Sequence, residues 1–437
     1  MSRSGVAGLL RANPAFRRLW TARLLSFAGD SIGLIALMLY TAQRFGSGLA
    51  VALLLIAGDF VPSILSPFAG MVSDHLDKRV VMACCELVQG AIVSVIALAL
   101  PGLPLLLVLV GIQACVGAVF RPASQAAVPE LVRSAELERA NAAIGFGTNG
   151  MDGFAPLTGA ALLAWLSVRD LLLVDTATFA ISAALLVTLP AMRATMPARR
   201  HDAGDRQGHG PSATGGAGLL AEARAGLAYL WRDRLLRILT LVFCAVVLFN
   251  AVDDVALVFL ARRTLHGSDA AASLVYAGAG LGMLAGFWLL ARTGRRLALP
   301  PLVVIGYAVT SLGNLLTGTA GVILAALTFQ VVRGLGIAAL DVGHNTLLQR
   351  VVPAGLLGRT FSNFYGAVGA AAGVSYIFGG MLLDATSPRV TLIVAGARGL
   401  AAAALAAFLV PRAARLTAGG TPPDDPPKTQ SVGQTAV

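Results

Sequence analysis

Charged residues are scarce in this chain. Only 13% of its 437 residues are Asp, Glu, Lys or Arg, while 57% are hydrophobic and the mean hydropathy is +0.77. So little polar surface cannot cover a water-soluble globule of this size. The sequence therefore predicts an integral membrane protein whose main solvent is the lipid bilayer.

Cysteine and aromatic residues are also few, and their scarcity argues against several kinds of site. The four cysteines fall in apolar segments, without the spacing of a metal site or a disulfide framework. We therefore expect no metal and no cofactor. Aromatic residues make up 6% of the chain, which provides no obvious stacking platform for a substrate. We also find no nucleophile elbow and no phosphate-binding loop, so the protein is not expected to be an enzyme.

Long apolar runs dominate the chain instead. A helix needs about 20 apolar residues to cross a bilayer. Twelve such spans fit the sequence, and they begin near Leu19, Leu49, Val80, Leu103, Ala140, Leu171, Ile238, Ala270, Leu299, Gly321, Phe361 and Val390. Alternation of period two is rare, which favours helices over barrel strands. The first span is too long for the core of a cleavable signal peptide, so none is predicted.

Basic residues are unevenly distributed among the loops. They gather before span 1 and after spans 2, 4, 8 and 10, and the alternate loops hold few. The positive-inside rule then predicts a multi-pass protein of the cell (inner) membrane with both termini in the cytoplasm. This bias accounts for the net charge of +11. Because the charges are split among loops, we expect no nucleic-acid partner.

The chain divides near its middle into two similar halves. Residues 192–237 begin with a polar, Gly-rich stretch and predict a cytoplasmic linker, whose segment 222–237 has the composition of an interfacial helix. Shifting the numbering by 220 aligns Gly159 with Gly379 and Arg169 with Arg389. We predict six-helix halves at 1–191 and 238–411, a disordered cytoplasmic tail at 412–437, and a monomer.

Ionisable residues inside the spans are the candidates for chemistry, because each costs about 3 kcal/mol or more at the bilayer centre. The candidates for proton coupling or substrate binding are Asp30, Asp59, Asp152, Asp253, Asp254 and Arg333. Carboxylates in a poorly hydrated cavity bind protons more readily, which suits coupling to a proton gradient. Arg333 is the natural counter-ion for one of these carboxylates.

Structural roles compete with these functional ones. Asp152 can bond Thr148 or Asn149 one turn back on its own helix. Asp30 can instead bond the neighbouring half and close a cavity. Asp59 can satisfy backbone groups that the proline three residues later leaves free. The residue patterns alone leave these alternatives open.

The loop after span 2 carries the most specific pattern in the chain. It reads Gly70-Met-Val-Ser-Asp74-His-Leu-Asp77-Lys78-Arg79. This stretch resembles the loop between helices 2 and 3 of the major facilitator superfamily, although the histidine and Asp77 depart from its pattern. The resemblance implies twelve transmembrane helices in two pseudo-symmetric six-helix halves, with a binding site between the halves.

The resemblance also implies a role for this loop as a cytoplasmic gate formed by Gly70, Asp74, Lys78 and Arg79. Asp74 would face the N-terminus of span 11 in the closed gate, where the helix dipole favours an anion. Lys78 and Arg79 would add ion pairs. The alternative is that the basic pair only anchors the hairpin in the cytoplasm.

Two further stretches narrow the expected function. Asn149 to Gly159, which contains Asp152 and Pro156, resembles the fifth span of drug/proton antiporters of the superfamily. The loop after span 4, from Phe120 to Ala142, resembles that of the macrolide-efflux and enterobactin-exporter branch. These resemblances imply a secondary active exporter of amphipathic small molecules, driven by the proton gradient. An exporter of one endogenous metabolite such as a siderophore, an uptake symporter, and a non-transporting receptor or scaffold are the alternatives.

Overall fold

The structure is a computed structural model that describes residues 6–58, 77–133, 136–192, 224, 226–293, 298–353 and 356–418. Within these ranges the regular secondary structure is helical and no strand occurs, which confirms the predicted all-α class. The helices are α1 (Val6–Ala12), α2 (Pro14–Phe45), α3 (Gly48–Gly58), α4 (Lys78–Ala99), α5 (Leu103–Leu131), α6 (Leu137–Leu163), α7 (Val168–Val187), α8 (226–232), α9 (Arg234–Asn250), α10 (Asp253–Phe259), α11 (Asp269–Thr293), α12 (Leu299–Thr319), α13 (Ile323–Val351), α14 (Leu357–Ala385) and α15 (Pro388–Ala418), with a π-helical turn at Leu260–Thr264.

The described helices fill the twelve predicted membrane positions. Ten segments in this part of the chain are long and apolar enough to cross a bilayer, namely α2, α4, α5, α7, the run from α9 through the π-helical turn, and α11 to α15. The shorter apolar α3 and the 27-residue α6 occupy the two remaining positions. The protein is therefore a multi-pass membrane protein.

Local sequence signals determine where several helices begin. Asn13 caps α2 by accepting a hydrogen bond from the Phe16 amide at 2.9 Å, with Pro14 in the first turn. The Asn13 side-chain amide also donates to the Leu131 carbonyl at 2.6 Å, which ties the start of α2 to the end of α5. Ser167 and Asp170 form a capping box at the start of α7. Such caps extend the helices beyond the apolar runs that locate the spans in the sequence.

The two halves repeat each other closely. Adding 220 to the bounds of α5 gives those of α13, and the same shift takes the first residues of α6 and α7 to those of α14 and α15. Equivalent side chains also make equivalent contacts. Arg169 donates to the Leu98 carbonyl near the end of α4 at 3.4 Å, and Arg389 donates to the Ala320 carbonyl after α12 at 3.2 Å. The pseudo-symmetry predicted from the sequence therefore extends to how the helices are joined.

The ends of the molecule differ in how the halves are packed. The predicted linker joins the end of the first half, near Met192, to the start of α9 at Arg234. We call the end of the molecule that holds these residues the linker end, and the opposite end the far end. At the far end one buried core includes residues of both halves, such as Ile35 and Leu54 with Val255 and Leu383. At the linker end each half has its own core, around Phe16 in the first half and Tyr307 in the second. Among the described residues, the halves therefore share an apolar core at the far end only.

One predicted boundary shifts in the structure. The sequence places a disordered tail from residue 412, but α15 continues to Ala418. Arg, Ala and Leu in this stretch are good helix formers, which explains the continuation past Pro411. Residues 419–437 and 193–223 lie outside the described residues. Helix α8 falls within the segment for which the sequence predicts an interfacial helix.

Candidate functional site

The seventh span is interrupted where its carboxylates lie. Helix α9 ends at Asn250, a turn covers Ala251 and Val252, and α10 begins at Asp253. The Asn314 side chain donates to both the backbone carbonyl and the side-chain oxygen of Asn250, at 3.3 and 3.1 Å. Interrupted helices in transporters commonly form binding sites, because they free backbone groups and helix ends. This interruption therefore marks the centre of the candidate site in the C-terminal half.

Asp253 and Asp254 turn toward different helices. Asp253 is fully buried, and its Oδ2 lies 2.5 Å from Nη2 of Arg333 on α13. Asp254 is partly exposed and accepts a hydrogen bond from the Tyr376 hydroxyl on α14 at 3.1 Å. The Tyr276 hydroxyl on α11 donates to the backbone carbonyl of Asp254. The structure thus pairs Arg333 with Asp253, as expected of a counter-ion, and leaves Asp254 to a tyrosine.

The N-terminal half carries a related pair without the cation. Gln113 on α5 donates from Nε2 to Oδ1 of Asp30 on α2 at 3.5 Å. The 220-residue shift places Gln113 in the position of Arg333, so an amide occupies the site of the guanidinium. Arg121, two turns further along α5, acts on Asp30 electrostatically. The hydrogen bond of Asp30 to Gln113 lies within its own half rather than across to the other.

Two buried acidic residues of this half escaped the sequence analysis. Glu86 on α4 is 0% exposed, and Asp175 on α7 is 2% exposed. Both interact electrostatically with Asp30. The criterion that selected Asp30, an acidic residue inside an apolar span, would have selected these two as well. The N-terminal half therefore gathers three carboxyl groups from three helices.

Several predicted site residues fall where the structure gives no side chain. Asp152 belongs to α6, but its side chain lies outside the described part of the structure, as do the whole residues Asp59, Gly70 and Asp74. The described part of the fifth-span motif does show close packing. A Cβ on Gly159 would lie 3.2 Å from Oγ of Ser273 on α11, so this glycine lets the two halves approach.

The basic pair after span 2 makes contacts within its own half. Lys78 forms an ion pair with Glu130 of α5. Arg79 donates to the Leu189 carbonyl at 3.3 Å, and its amide donates to Oδ1 of Asp77 at 3.0 Å. These contacts lie at the linker end, where the halves have separate cores. The predicted gate residues that are described are thus bound to one half in this conformation.

The far end is closed by polar contacts between the halves. Asp384, at the end of α14, accepts hydrogen bonds from the Ser47 hydroxyl at 2.7 Å and from the amides of Gly48 and Leu49 at 2.5 and 3.1 Å. Arg263 donates to the Gly46 carbonyl at 2.7 Å. A carboxylate from the second half therefore caps α3 of the first half.

Within the described residues, no group of three His, Cys, Asp or Glu side chains is arranged to hold a metal ion. The polar groups at the candidate site are instead an ion pair, amides, hydroxyls and carboxyls near the closed end of a two-half bundle. Such groups can bind a polar part of a solute and exchange protons.

The sequence pattern of the Major Facilitator Superfamily matches residues 19–296 and 243–434, which together cover most of the chain. The chain belongs to this superfamily. It is therefore a membrane transporter of the major facilitator type, a class that in general is not enzymatic and lacks cofactors. Across 397 residues it is 25% identical to the uncharacterized MFS-type transporter YfiS of Bacillus subtilis (strain 168), covering 89% of this chain and 91% of the relative.

Solved transporters share its fold. The nucleoside transporter NupG matches with a TM-score of 0.71 at 12% identity, covering 90% of this chain and 98% of NupG. A bacterial homologue of the human lysosomal transporter Spinster, solved in an inward-facing and unoccupied conformation, matches with a TM-score of 0.65 at 16% identity, covering 92% and 96%. At such identities the likeness establishes the fold and not the substrate.

Proposed function

We propose that this facilitator is a secondary active exporter of amphipathic small molecules, which it exchanges for protons by alternating access. The observation that carries the proposal is the placement of ionisable groups beside a shared core that closes one end only. Asp30 and the Asp253–Arg333 pair lie on equivalent helices of the two halves. A carrier that opens alternately to each side needs such groups where substrate and protons compete.

The linker end is the cytoplasmic end in this proposal, because the basic loops gather there. The conformation is then open toward the cytoplasm, in the cell (inner) membrane, with both termini inside. In this state an exporter takes up its substrate. The gate residues Gly70, Asp74, Lys78 and Arg79 would meet the N-terminus of α14 when this end closes.

Export of drug-like compounds, as in the macrolide-efflux and enterobactin-exporter branch, is supported by the loop and fifth-span patterns in the sequence. The protein works as a monomer, since each chain contains both halves of the transport unit. Asp152 and Asp59 remain proposed coupling residues on the sequence pattern alone. Asp254 is proposed to contact substrate, since it is partly exposed next to Tyr376.

The test is proton movement in proteoliposomes loaded with a pH-sensitive dye. A macrolide, a lipophilic cationic dye and a catecholate siderophore are added in turn. We expect at least one compound to drive proton counterflow in wild type, and Asp30→Asn or Asp253→Asn to abolish it. Glu136→Gln is the matched control, because this partly exposed carboxylate pairs with the exposed Arg133 away from the site.

The outcomes separate the alternatives. Counterflow with the siderophore alone would favour a dedicated metabolite exporter. Protons that move with the compound, rather than against it, would indicate an uptake symporter. Transport of none of the three compounds, with intact protein in the vesicles, would contradict the proposal and favour a receptor or scaffold.

A further inference from the structure

Glu86 of α4 is a fully buried acidic residue. Among the described residues, neither carboxyl oxygen of Glu86 accepts or donates a hydrogen bond of normal geometry. The Ser26 and Ser182 hydroxyls face it, and the buried Ser182 hydroxyl has no hydrogen-bond partner of normal geometry in the part of the chain that the structure describes. A carboxylate ion in such surroundings loses its hydration without compensation. A neutral carboxylic acid does not carry this cost.

Asp175 interacts electrostatically with Glu86 and lies against the backbone that carries Asp30. A Cβ added to Gly29 would lie 2.6 Å from Oδ1 of Asp175, and one added to Gly33 would lie 2.3 Å from Oδ2. The Asp175 carboxyl group is thus inserted between α7 and α2 where only glycine leaves room. Its side-chain partner there is the Thr178 hydroxyl, at the long distance of 3.5 Å.

The charged groups around this pair do not offset two negative charges. Asp30 on α2 repels both residues, and Glu86 and Asp175 repel each other. The cations are Arg121 on α5, which acts on Asp30, and Arg23 on α2, which donates to Ser124. Cys85 adjoins Glu86 on α4. Two adjacent buried carboxylates without a cation cannot both be ionised at modest cost.

We propose that Glu86 and Asp175 form a proton-holding site inside the N-terminal half, behind Asp30 and separate from the groups that meet the substrate. The inference rests on the proposed function, in which protons drive transport, and it identifies where a proton is held. In the conformation that is open at the linker end, Glu86 holds its proton as a carboxylic acid. Loss of a proton from the pair would place a negative charge between α2, α4 and α7 and favour their separation.

A small hard cation such as sodium also binds carboxyl and hydroxyl oxygens, so the experiment has to distinguish a bound proton from bound sodium. The two occupants differ in what removes them. Alkali removes a proton from the pair. Sodium added at constant pH would displace the proton only if the pair binds sodium.

The experiment is infrared spectroscopy of the full-length protein in lipid vesicles, with no transported compound present. Protonated carboxylic acids give a carbonyl band that carboxylates lack. We expect this band in wild type at neutral pH, its loss on raising the pH, and a reduction by one acid group in Glu86→Gln. Glu86→Gln should also lower the pH at which the remaining Asp175 acid loses its proton, because a repelling neighbour is gone.

Glu136→Gln is the control. The Glu136 carboxylate is paired with the exposed Arg133, so it is ionised, and its removal should leave the band unchanged. An unchanged band in Glu86→Gln, or a band lost when sodium is added at constant pH, would overturn the proposal. A cooperative thermal unfolding transition like that of the wild type shows that each variant is folded.

Transport assays distinguish this inference from the proposed function. If the site holds the coupling proton, Glu86→Gln should keep compound binding and lose proton counterflow. A normal ratio of protons to compound in Glu86→Gln would overturn the coupling role, even if the wild-type protein shows the infrared band. Absence of counterflow in wild type would instead refute the exchange mechanism.

Discussion

The Asp253–Arg333 ion pair is buried deeply enough that each member depends on the other. The Asp253 side chain is fully buried and that of Arg333 is 12% exposed. Removing one partner of a buried pair leaves an uncompensated charge and typically costs about 3–5 kcal/mol. We therefore expect Arg333→Gln to lower the free energy of unfolding in detergent by about this amount.

The double variant D253N/R333Q is the informative comparison. Because it removes both charges, it should be more stable than Arg333→Gln alone, and the double-mutant cycle should give a coupling of at least about 1 kcal/mol. Calorimetry or chemical unfolding of the four proteins measures it. If the loss in the double variant equals the sum of the two single losses, the pair is not a coupled unit.

The sequence predicted the partner of a buried charge correctly where only one type of partner, an oppositely charged side chain, could offset it. Arg333 is a cation deep in an apolar span, and the structure pairs it with Asp253, one of the carboxylates available. Prediction from the sequence missed Glu86 and Asp175, although both are acidic residues inside apolar spans. The sequence could not show that they gather near Asp30, because that depends on packing between α2, α4 and α7. Single-sequence patterns carry no information on that packing.

The contact of Asp384 with the start of α3 is a helix cap that joins two halves of a carrier. Its carboxylate accepts from the Ser47 hydroxyl and from the Gly48 and Leu49 amides. Replacing a capping carboxylate by alanine typically costs about 0.5–2 kcal/mol. We expect Asp384→Ala to shift the equilibrium by this amount away from the state with a closed far end.

Distance measurements between spin labels test the shift. Labels replace Trp165 and Val322, which are exposed in far-end loops of the two halves. The population with long distances should rise in Asp384→Ala. The control is Asp170→Ala, which removes a far-end cap on α7 without touching the other half. An equal rise in both variants would mean that helix stability, not the contact between halves, is responsible.

At the level of elements, the sequence locates the spans but not their interruptions. Caps such as Asn13 and Ser167 and the long apolar runs are local, so they are visible in the sequence. The break after Asn250 has no proline or glycine to signal it. The Asn314 side chain of α12 donates a hydrogen bond to the Asn250 carbonyl, and this tertiary contact explains why α9 ends there.

The whole molecule is held in one conformation by a shared core at the far end and separate cores at the linker end. The repeat of 220 residues was visible in the sequence, because equivalent glycines and arginines recur at that spacing. The conformation was not visible, since both states of a carrier use the same helices. It depends on close approaches such as that of Gly380 on α14 to Gly48 at the start of α3.

Gly380 permits closure of the far end, and this leads to a prediction for the whole carrier. A Cβ there would lie 2.9 Å from the Gly48 carbonyl oxygen and 3.0 Å from the Leu49 Cα atom, both backbone atoms that cannot turn aside. Gly380→Val should therefore force the halves apart at this end. Gly366→Val on the same helix is the control, because its added Cβ would meet no atom within 4 Å outside the adjacent backbone of α14.

The reporter is Ser273→Cys in a background whose four native cysteines are replaced by serine. Ser273 is fully buried opposite Gly159 of the other half, so a thiol there is shielded while the far end is closed. An impermeant maleimide applied to intact cells should label it several-fold faster in Gly380→Val than in Gly366→Val. Equal labelling would contradict the role of Gly380 in closure. Faster labelling would also place the far end outside the cell, since the reagent cannot cross the membrane, and would thereby test the orientation that the basic loops predict.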